Sequence, residues 1–160
     1  MIVFVEGADG SGKTTLVNQL RGIYPVFTVP RDYQVDVPYI WAEIYEAAQG
    51  TVFVTDRCFI SDYIYRLHDL LDGTYNLKGV LSLIKDNVFI YCKTDTQHDD
   101  AIARGEDNIV NRDDADDLRK LYDVFMRILK KEKVRVMEYD WKTQNVHDVL
   151  DFIENCTKEV

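Results

Sequence analysis

The sequence is short of cysteine and of long apolar runs. Its 160 residues include only three cysteines, Cys58, Cys92 and Cys156. They are too few and too widely spaced for a disulfide framework or a C-x-x-C metal site. No apolar stretch approaches the length of a membrane span, and Met1 leads straight into a strand-like segment rather than a cleavable leader. These absences predict a cytoplasmic protein with reduced thiols and no membrane attachment.

Positive charge is also scarce. There are 19 Lys and Arg residues against 28 Asp and Glu, a net charge of −9, so the overall field repels nucleic acid polymers. Before residue 66 the only basic residues are Lys13, Arg21, Arg31 and Arg57. All but Arg21 follow a predicted strand. Because ligands of an open α/β sheet bind at the carboxyl ends of its strands, these three cations are predicted to bind phosphate.

The chain lacks internal repeats, Gly/Ser-rich linkers and low-complexity segments, and its length fits one domain spanning residues 1–160. Segments with helical periodicity separate five short apolar, β-rich runs. These runs are residues 2–5, 26–29, 51–55, 87–91 and 134–137. Strands that alternate with helices predict an α/β fold with a five-stranded parallel sheet, covered by helices on both faces.

Two helices have clear apolar stripes. One carries Leu118, Leu121, Tyr122, Phe125, Ile128 and Leu129, and the spacing of these residues predicts that the helix packs on the sheet. The other is the last helix, for which Asn145 is the predicted N-cap. The segment before the first of them, residues 94–117, is polar and rich in acidic residues, and we predict that it forms a lid over the site.

The strongest functional signal is the phosphate loop, residues 7–14, which reads GADGSGKT. It has the complete G-x-x-x-x-G-K-[ST] pattern between a predicted strand and a predicted helix. Its glycines let successive N–H groups point at phosphate oxygens, and the positive pole of the helix adds a favourable field. We predict that ATP phosphates bind to Gly10, Ser11, Gly12, Lys13, Thr14 and Thr15. Lys13 reaches the β- and γ-phosphates, and Thr14 binds Mg²⁺.

A second pair of functional residues, Asp56 and Arg57, follows the apolar run of Val52 to Val54. If this third strand neighbours the first, both residues lie beside the phosphate loop. An aspartate there binds Mg²⁺ directly or through water, and an arginine binds a phosphate with two hydrogen bonds.

Three segments resemble thymidylate kinases, which have a P-loop NTPase fold. The phosphate loop and the residues before it are similar to that family's F-E-G-x-D-G-S-G-K-T-T opening. The segment TDRCFISDYIY, residues 55–65, is similar to its D-R-Y-x-x-S-x-x-x-Y element, and ARGEDNIVNR, residues 103–112, resembles the lid of the bacterial enzymes. The matches follow the family's order and span most of the chain.

The resemblance implies several residue roles. Asp9 approaches the sugar 3′-hydroxyl of the acceptor, and Arg31 and Arg57 bind the acceptor's monophosphate. Arg104 and Arg112 close over the transferring phosphoryl group or the adenine. The resemblance thus makes Lys13, Arg57 and Arg104 the predicted catalytic residues.

Further acceptor contacts are implied around the base and sugar. Ser61 lies at a matching position, and Tyr65 matches a residue that crowds the sugar 2′ position and favours deoxyribose. Asp62 stands where a neutral, base-reading amide is common in the family, although deoxynucleoside kinases have an aspartate at this offset, so the base is open. Four aromatic residues follow the second strand, namely Tyr33, Tyr39, Trp41 and Tyr45. We predict that one of them contacts the acceptor, where its ring can stack on the base, and we select Trp41 as the candidate. The family's Arg-Glu-Pro is replaced here by Pro-Arg-Asp, residues 30–32.

The implied activity is transfer of the γ-phosphoryl group of ATP to a deoxynucleoside 5′-monophosphate, thymidylate or a relative, as in nucleotide biosynthesis. The nearest alternative is a deoxynucleoside kinase, which needs a carboxylate base near a 5′-hydroxyl. An alternative of another class is a nucleotide-dependent switch protein, but the N-K-x-D motif of switch GTPases is missing from this sequence. The expected ligands are ATP, Mg²⁺ and the acceptor, and the resemblance suggests a homodimer.

Overall fold

The computed structural model describes residues 1–8, 10–28, 43–58, 60–61, 64, 85–93, 103 and 112–158, with the backbone alone at 112–115. The strands are β1 (Ile2–Glu6), β2 (Val26–Thr28), β3 (Phe53–Asp56), β4 (Val88–Cys92) and β5 (Arg135–Tyr139). Three longer helices are α1 (Lys13–Leu20), α2 (Arg112–Lys131) and α3 (Val146–Lys158). Residues 43–47 are also helical. Each predicted strand is present, with ends shifted by one or two residues.

The five strands form one sheet in the order β2-β3-β1-β4-β5, and every neighbouring pair is parallel. All residues of β1 and β4 are buried. Central strands of a parallel sheet are covered on both faces, which explains why these two segments read as continuous apolar runs. This architecture confirms the predicted α/β fold.

The two faces of the sheet have separate apolar cores, as strand alternation requires. Ile2 and Phe4 of β1 pack on one face with the apolar stripe of α2, which includes Leu118 and Tyr122. Val3 and Val5 pack on the other face with apolar residues of α1 and α3. Helices therefore cover both faces. No helix in the described part of the chain is long and apolar enough to cross a membrane.

Helix α2 begins earlier than its apolar stripe. It starts at Arg112, so residues 112–117 of the predicted lid belong to this helix. Residues 94–102 and 104–111 lie outside the described residues, and the lid itself stays a prediction.

Helix α3 has the predicted N-cap. The Asn145 side-chain oxygen accepts a hydrogen bond of 2.8 Å from the backbone N–H of His147. In return, the Asp148 carboxylate accepts one of 2.7 Å from the Asn145 N–H. This reciprocal pair is a capping box, and it satisfies two N–H groups that would otherwise lack partners at the start of the helix.

Replacing Asn145 with Ala should lower the free energy of unfolding by about 1 kcal/mol, since the cap is lost. Urea unfolding followed by circular dichroism measures this change. Asn155→Ala is the matched control, because Asn155 is exposed within the same helix and alanine is the better helix former there. Equal destabilisation by the two substitutions would contradict the capping role.

Candidate functional site

The phosphate loop connects β1 to α1 and turns tightly around its glycines. A Cβ on Gly7 would lie 2.5 Å from the carbonyl oxygen of Cys92 in β4, so only glycine fits there. Gly12 is the N-cap of α1 and has a left-handed φ of 83°. Among the described residues no side chain caps this helix, and its first turn contains no acidic residue. The helix start therefore offers its backbone N–H groups and positive pole to an anion.

Trp141 forms one wall of the loop. A Cβ on Gly12 would lie 2.4 Å from Cδ1 of the Trp141 indole, so the ring packs directly on the glycine. The Trp141 side chain follows β5 and is still 43% exposed, and the Lys142 Nζ lies 5.1 Å from its ring centroid. Sequence reasoning missed this residue. Its signal is a large aromatic residue just after the carboxyl end of a strand.

Lys13 and Asp56 form an ion pair at the edge of the sheet. The lysine Nζ lies 2.6 Å from the aspartate Oδ1, and the two side chains are only 8% and 14% exposed. The pair forms because β1 and β3 are parallel neighbours, with Val5 in register with Asp56. Sequence analysis places Asp56 beside the phosphate loop only if the third strand neighbours the first, and the structure shows that it does.

The oxygen and nitrogen atoms around this pair fit a nucleotide phosphate with Mg²⁺. The Ser11 hydroxyl is buried and has no hydrogen-bond partner among the described residues. Thr14 and Thr15 are exposed on the first turn of α1. Thr14 and Asp56 offer the oxygen ligands that Mg²⁺ prefers. The described residues contain no cluster of three or more His, Cys, Asp or Glu for a metal.

Arg57 follows Asp56 in an unusual backbone conformation. Its φ of 70° is left-handed, which is strained for a residue with a side chain and is a feature concentrated at functional sites. Its N–H donates to the Val5 carbonyl oxygen at 3.0 Å. Its Nη1 donates to the Ser61 hydroxyl at 3.4 Å. The arginine is therefore held at the same edge of the sheet as Asp56.

A buried carboxylate is hydrogen-bonded to the segment that follows Arg57. Glu6, at the end of β1, is 0% exposed. It accepts hydrogen bonds from the backbone N–H groups of Cys58, at 2.6 Å, and Ser61, at 3.3 Å. The hydroxyl groups of Ser61 and Tyr122 also donate to it. Sequence reasoning missed this cluster, whose signal is a charged residue inside an apolar strand.

The two cysteines near the site are not nucleophiles. Burial, and then the nearby Glu6 charge, raise the pKa of the Cys58 thiol well above its ordinary value. Burial likewise raises the pKa of the Cys92 thiol. Both thiols therefore stay protonated at neutral pH, and the chemistry of the site depends on its cations and carboxylates.

Several predicted site residues lie outside the described part of the chain. They are Asp9, Arg31, Trp41, Asp62, Tyr65 and Arg104. Arg112 begins α2, but only its backbone is described. The structure brings together Ser11, Lys13, Asp56, Arg57 and Ser61 at one edge of the sheet. The roles assigned to these five residues, like those of the other predicted site residues, stay predictions.

No protein-family profile matches this chain, and no curated protein matches it in sequence. Solved structures do match it. The YorR protein of Bacillus subtilis, in complex with phosphorylated GDP, is 16% identical with a TM-score of 0.71, and the match covers 99% of this chain and 96% of that one. A deoxyadenosine kinase from M. mycoides, with products dCMP and dCDP bound, is 16% identical with a TM-score of 0.63, and both chains are covered completely, at 100%.

A third similar structure is the thymidylate kinase of Candida albicans. It is 17% identical with a TM-score of 0.60, and the match covers 96% of this chain and 91% of that one. At such low identity the similarity establishes the fold rather than the substrate. The chain has the α/β fold of the P-loop nucleotide kinases, as its resemblance to thymidylate kinases implies.

Proposed function

We propose that the protein is an ATP-dependent kinase that phosphorylates a deoxynucleoside 5′-monophosphate, thymidylate or a related one, to the diphosphate. The observation that carries this proposal is the convergence of Lys13, Asp56 and Arg57 at the carboxyl ends of β1 and β3. Lys13 belongs to a loop shaped for one phosphate chain, and Arg57 supplies a separate cation for a second phosphate. Two phosphate sites side by side suit a donor and an acceptor that are both phosphorylated.

The proposed reaction needs no strong base. An ionised oxygen of the acceptor phosphate forms a bond to the γ-phosphorus of ATP, while the bond from that phosphorus to the bridging oxygen breaks and ADP leaves with the electron pair. Catalysis is then mainly alignment and charge neutralisation. Lys13 neutralises charge on the donor and Arg57 holds the acceptor. The buried surroundings of Lys13 strengthen its interaction with phosphate.

Mg²⁺ fits the site through the Thr14 hydroxyl and the Asp56 carboxylate. When bound, it supplies positive charge to the phosphate oxygens of the nucleotide. The 2.6 Å Lys13–Asp56 pair keeps both charges compensated, and each group has an alternative partner in the proposed complex. Lys13 can bind a phosphate and Asp56 can bind the metal, so neither charge is left unpaired.

The runner-up is a deoxynucleoside kinase, which the similarity to the M. mycoides deoxyadenosine kinase favours as a second possibility. That activity requires a carboxylate base beside a 5′-hydroxyl. Glu6 is fully buried among four donors, and Asp56 is paired with Lys13, so neither suits the task. The candidates that the sequence offers for the base are Asp32 and Asp62, which lie outside the described residues.

The remaining parts of the proposal concern residues and partners outside the described contacts. Arg104 and Arg112 close over the transferring phosphoryl group from the lid. Asp9, Arg31, Trp41, Asp62 and Tyr65 contact the acceptor. The protein acts in the cytoplasm on small nucleotides, and it forms a homodimer.

A coupled ADP-release assay with Mg-ATP should show turnover with at least one deoxynucleoside monophosphate and little with nucleosides. All four monophosphates and their nucleosides are compared at matched concentrations. Turnover confined to nucleosides would replace the proposal with the runner-up. Tight ATP binding without turnover of any acceptor would indicate a switch protein instead.

Arg57→Ala should lower kcat/KM for the acceptor by about a hundredfold or more, because the acceptor phosphate loses its cation. The affinity for ATP, measured by calorimetry, should stay nearly the same. Arg127→Ala is the control, since Arg127 is exposed on α2 and should leave both quantities unchanged. Full turnover in Arg57→Ala would remove the arginine from the mechanism.

A comparison of Gly12→Ala with Gly50→Ala distinguishes the effect of backbone strain from the effect of displacing the phosphate loop. Both glycines have left-handed φ values, 83° and 76°, but a Cβ on Gly50 meets nothing within 4 Å, whereas one on Gly12 meets Trp141. Both substitutions should lower the free energy of unfolding by about 1 kcal/mol or more. Only Gly12→Ala should also weaken ATP binding, on the order of tenfold, by displacing the loop. Unchanged ATP affinity in Gly12→Ala would contradict the role of the loop.

A further inference from the structure

We propose that Glu6 and Ser61 are positioning residues that set the orientation of Arg57 for the acceptor phosphate. The proposal rests on the proposed function, which gives Arg57 that ligand. Glu6 is buried and has no direct role in phosphoryl transfer. It acts on the site through the segment that follows Arg57 and through the Ser61 hydroxyl.

Glu6 is buried, and hydrogen bonds from the protein compensate its carboxylate. A buried charge is costly unless hydrogen bonds compensate it. Glu6 is 0% exposed, and it accepts from two backbone N–H groups and two hydroxyl groups. An apolar residue would fill the end of β1 at lower cost. The Glu6 carboxylate therefore fixes the positions of these four donors. Three of them belong to Cys58 and Ser61, shortly after Arg57, and the fourth belongs to Tyr122 of α2.

The backbone of Arg57 is tied to β1 on both sides. Its own N–H donates to the Val5 carbonyl oxygen at 3.0 Å, and the next N–H, that of Cys58, donates to the Glu6 carboxylate at 2.6 Å. The left-handed φ of 70° at Arg57 lies between these two anchors. Strained conformations persist only where the surroundings over-determine them. Glu6 accepts one of these bonds and so helps to hold the strained conformation.

The side chain of Arg57 is linked to the same carboxylate through Ser61. The Ser61 hydroxyl has one hydrogen, which it donates to Glu6 Oε2. Its oxygen accepts a hydrogen bond of 3.4 Å from Arg57 Nη1. Because a hydroxyl that donates to a carboxylate becomes a better acceptor, Glu6 strengthens the hold of Ser61 on the guanidinium. The chain Arg57–Ser61–Glu6 thus directs the arginine from within the core.

Tyr122 provides a matched control for this chain. Its hydroxyl donates to Glu6 Oε2 at 3.2 Å and lies 3.1 Å from the Ser61 oxygen, so Tyr122→Phe removes a hydroxyl from the same cluster. The phenol comes from α2, whereas the hydroxyl that accepts a hydrogen bond from the Arg57 guanidinium is that of Ser61. Loss of the Tyr122 hydroxyl should therefore affect stability more than acceptor binding.

A double-mutant cycle tests the proposal with the full chain. Ser61→Ala and Glu6→Gln should each raise KM for the monophosphate acceptor by about tenfold, while KM for ATP changes less than about twofold. In an Arg57→Ala background, the same substitutions should change acceptor KM no further, because their effect passes through the arginine. Tyr122→Phe should leave acceptor KM within about twofold of the parent. Effects of Ser61→Ala and Glu6→Gln that multiply with that of Arg57→Ala would overturn the proposal.

A second measurement does not depend on activity. The guanidinium N–H signals of Arg57, assigned by NMR through their loss in Arg57→Lys, should exchange slowly with solvent in the parent and in Tyr122→Phe. In Ser61→Ala they should exchange faster than in the parent. Because this variant retains the Glu6 carboxylate, it still tests the positioning if Glu6→Gln fails to fold. Unchanged exchange in Ser61→Ala would overturn the positioning role. The proposed function fails if no monophosphate is phosphorylated. Even then, faster exchange of the Arg57 N–H signals in Ser61→Ala than in the parent would support the positioning role of Ser61.

Discussion

The parallel pairing of β1 with β3 is the constraint on which the candidate site depends. The register that places Val5 opposite Asp56 brings the residues after both strands to one edge of the sheet. Lys13 follows β1 through the phosphate loop, Asp56 ends β3, and Arg57 comes directly after it. A slip of one residue would turn Asp56 to the opposite face of the sheet and separate it from Lys13. The apolar cores on both faces hold the register, so packing far from the edge determines the geometry of the charges.

The edge combines two electrostatic arrangements with different degrees of burial. Lys13 and Asp56 neutralise each other beside the loop, where Lys13 is buried and Asp56 is only slightly exposed. Glu6 is fully enclosed, and its charge is compensated by hydrogen-bond donors that include the turn after Arg57. In the proposed complex the Lys13–Asp56 pair exchanges partners, whereas the enclosed Glu6 carboxylate holds its neighbours in place. The proposed phosphoryl transfer needs both properties, because alignment and charge neutralisation contribute most to that reaction.

Local patterns predicted most of the fold. Short apolar runs identified the strands, and the glycine, lysine and threonine spacing identified the phosphate loop, since both signals lie within a few residues. The Glu6 cluster and the contact of Trp141 with Gly12 could not be predicted, because each joins residues distant in sequence through tertiary packing. The start of α2 was missed for another reason. Its first turns are acidic and lack an apolar stripe, although acidic residues favour the start of a helix.

The burial of the three cysteines has a practical consequence. Cys58, Cys92 and Cys156 are all free thiols enclosed by the core. A maleimide dye would therefore react selectively with a single cysteine introduced at an exposed position, without prior removal of the native thiols. Fluorophores attached to such a cysteine and to a nucleotide analogue would report the distance between them in solution.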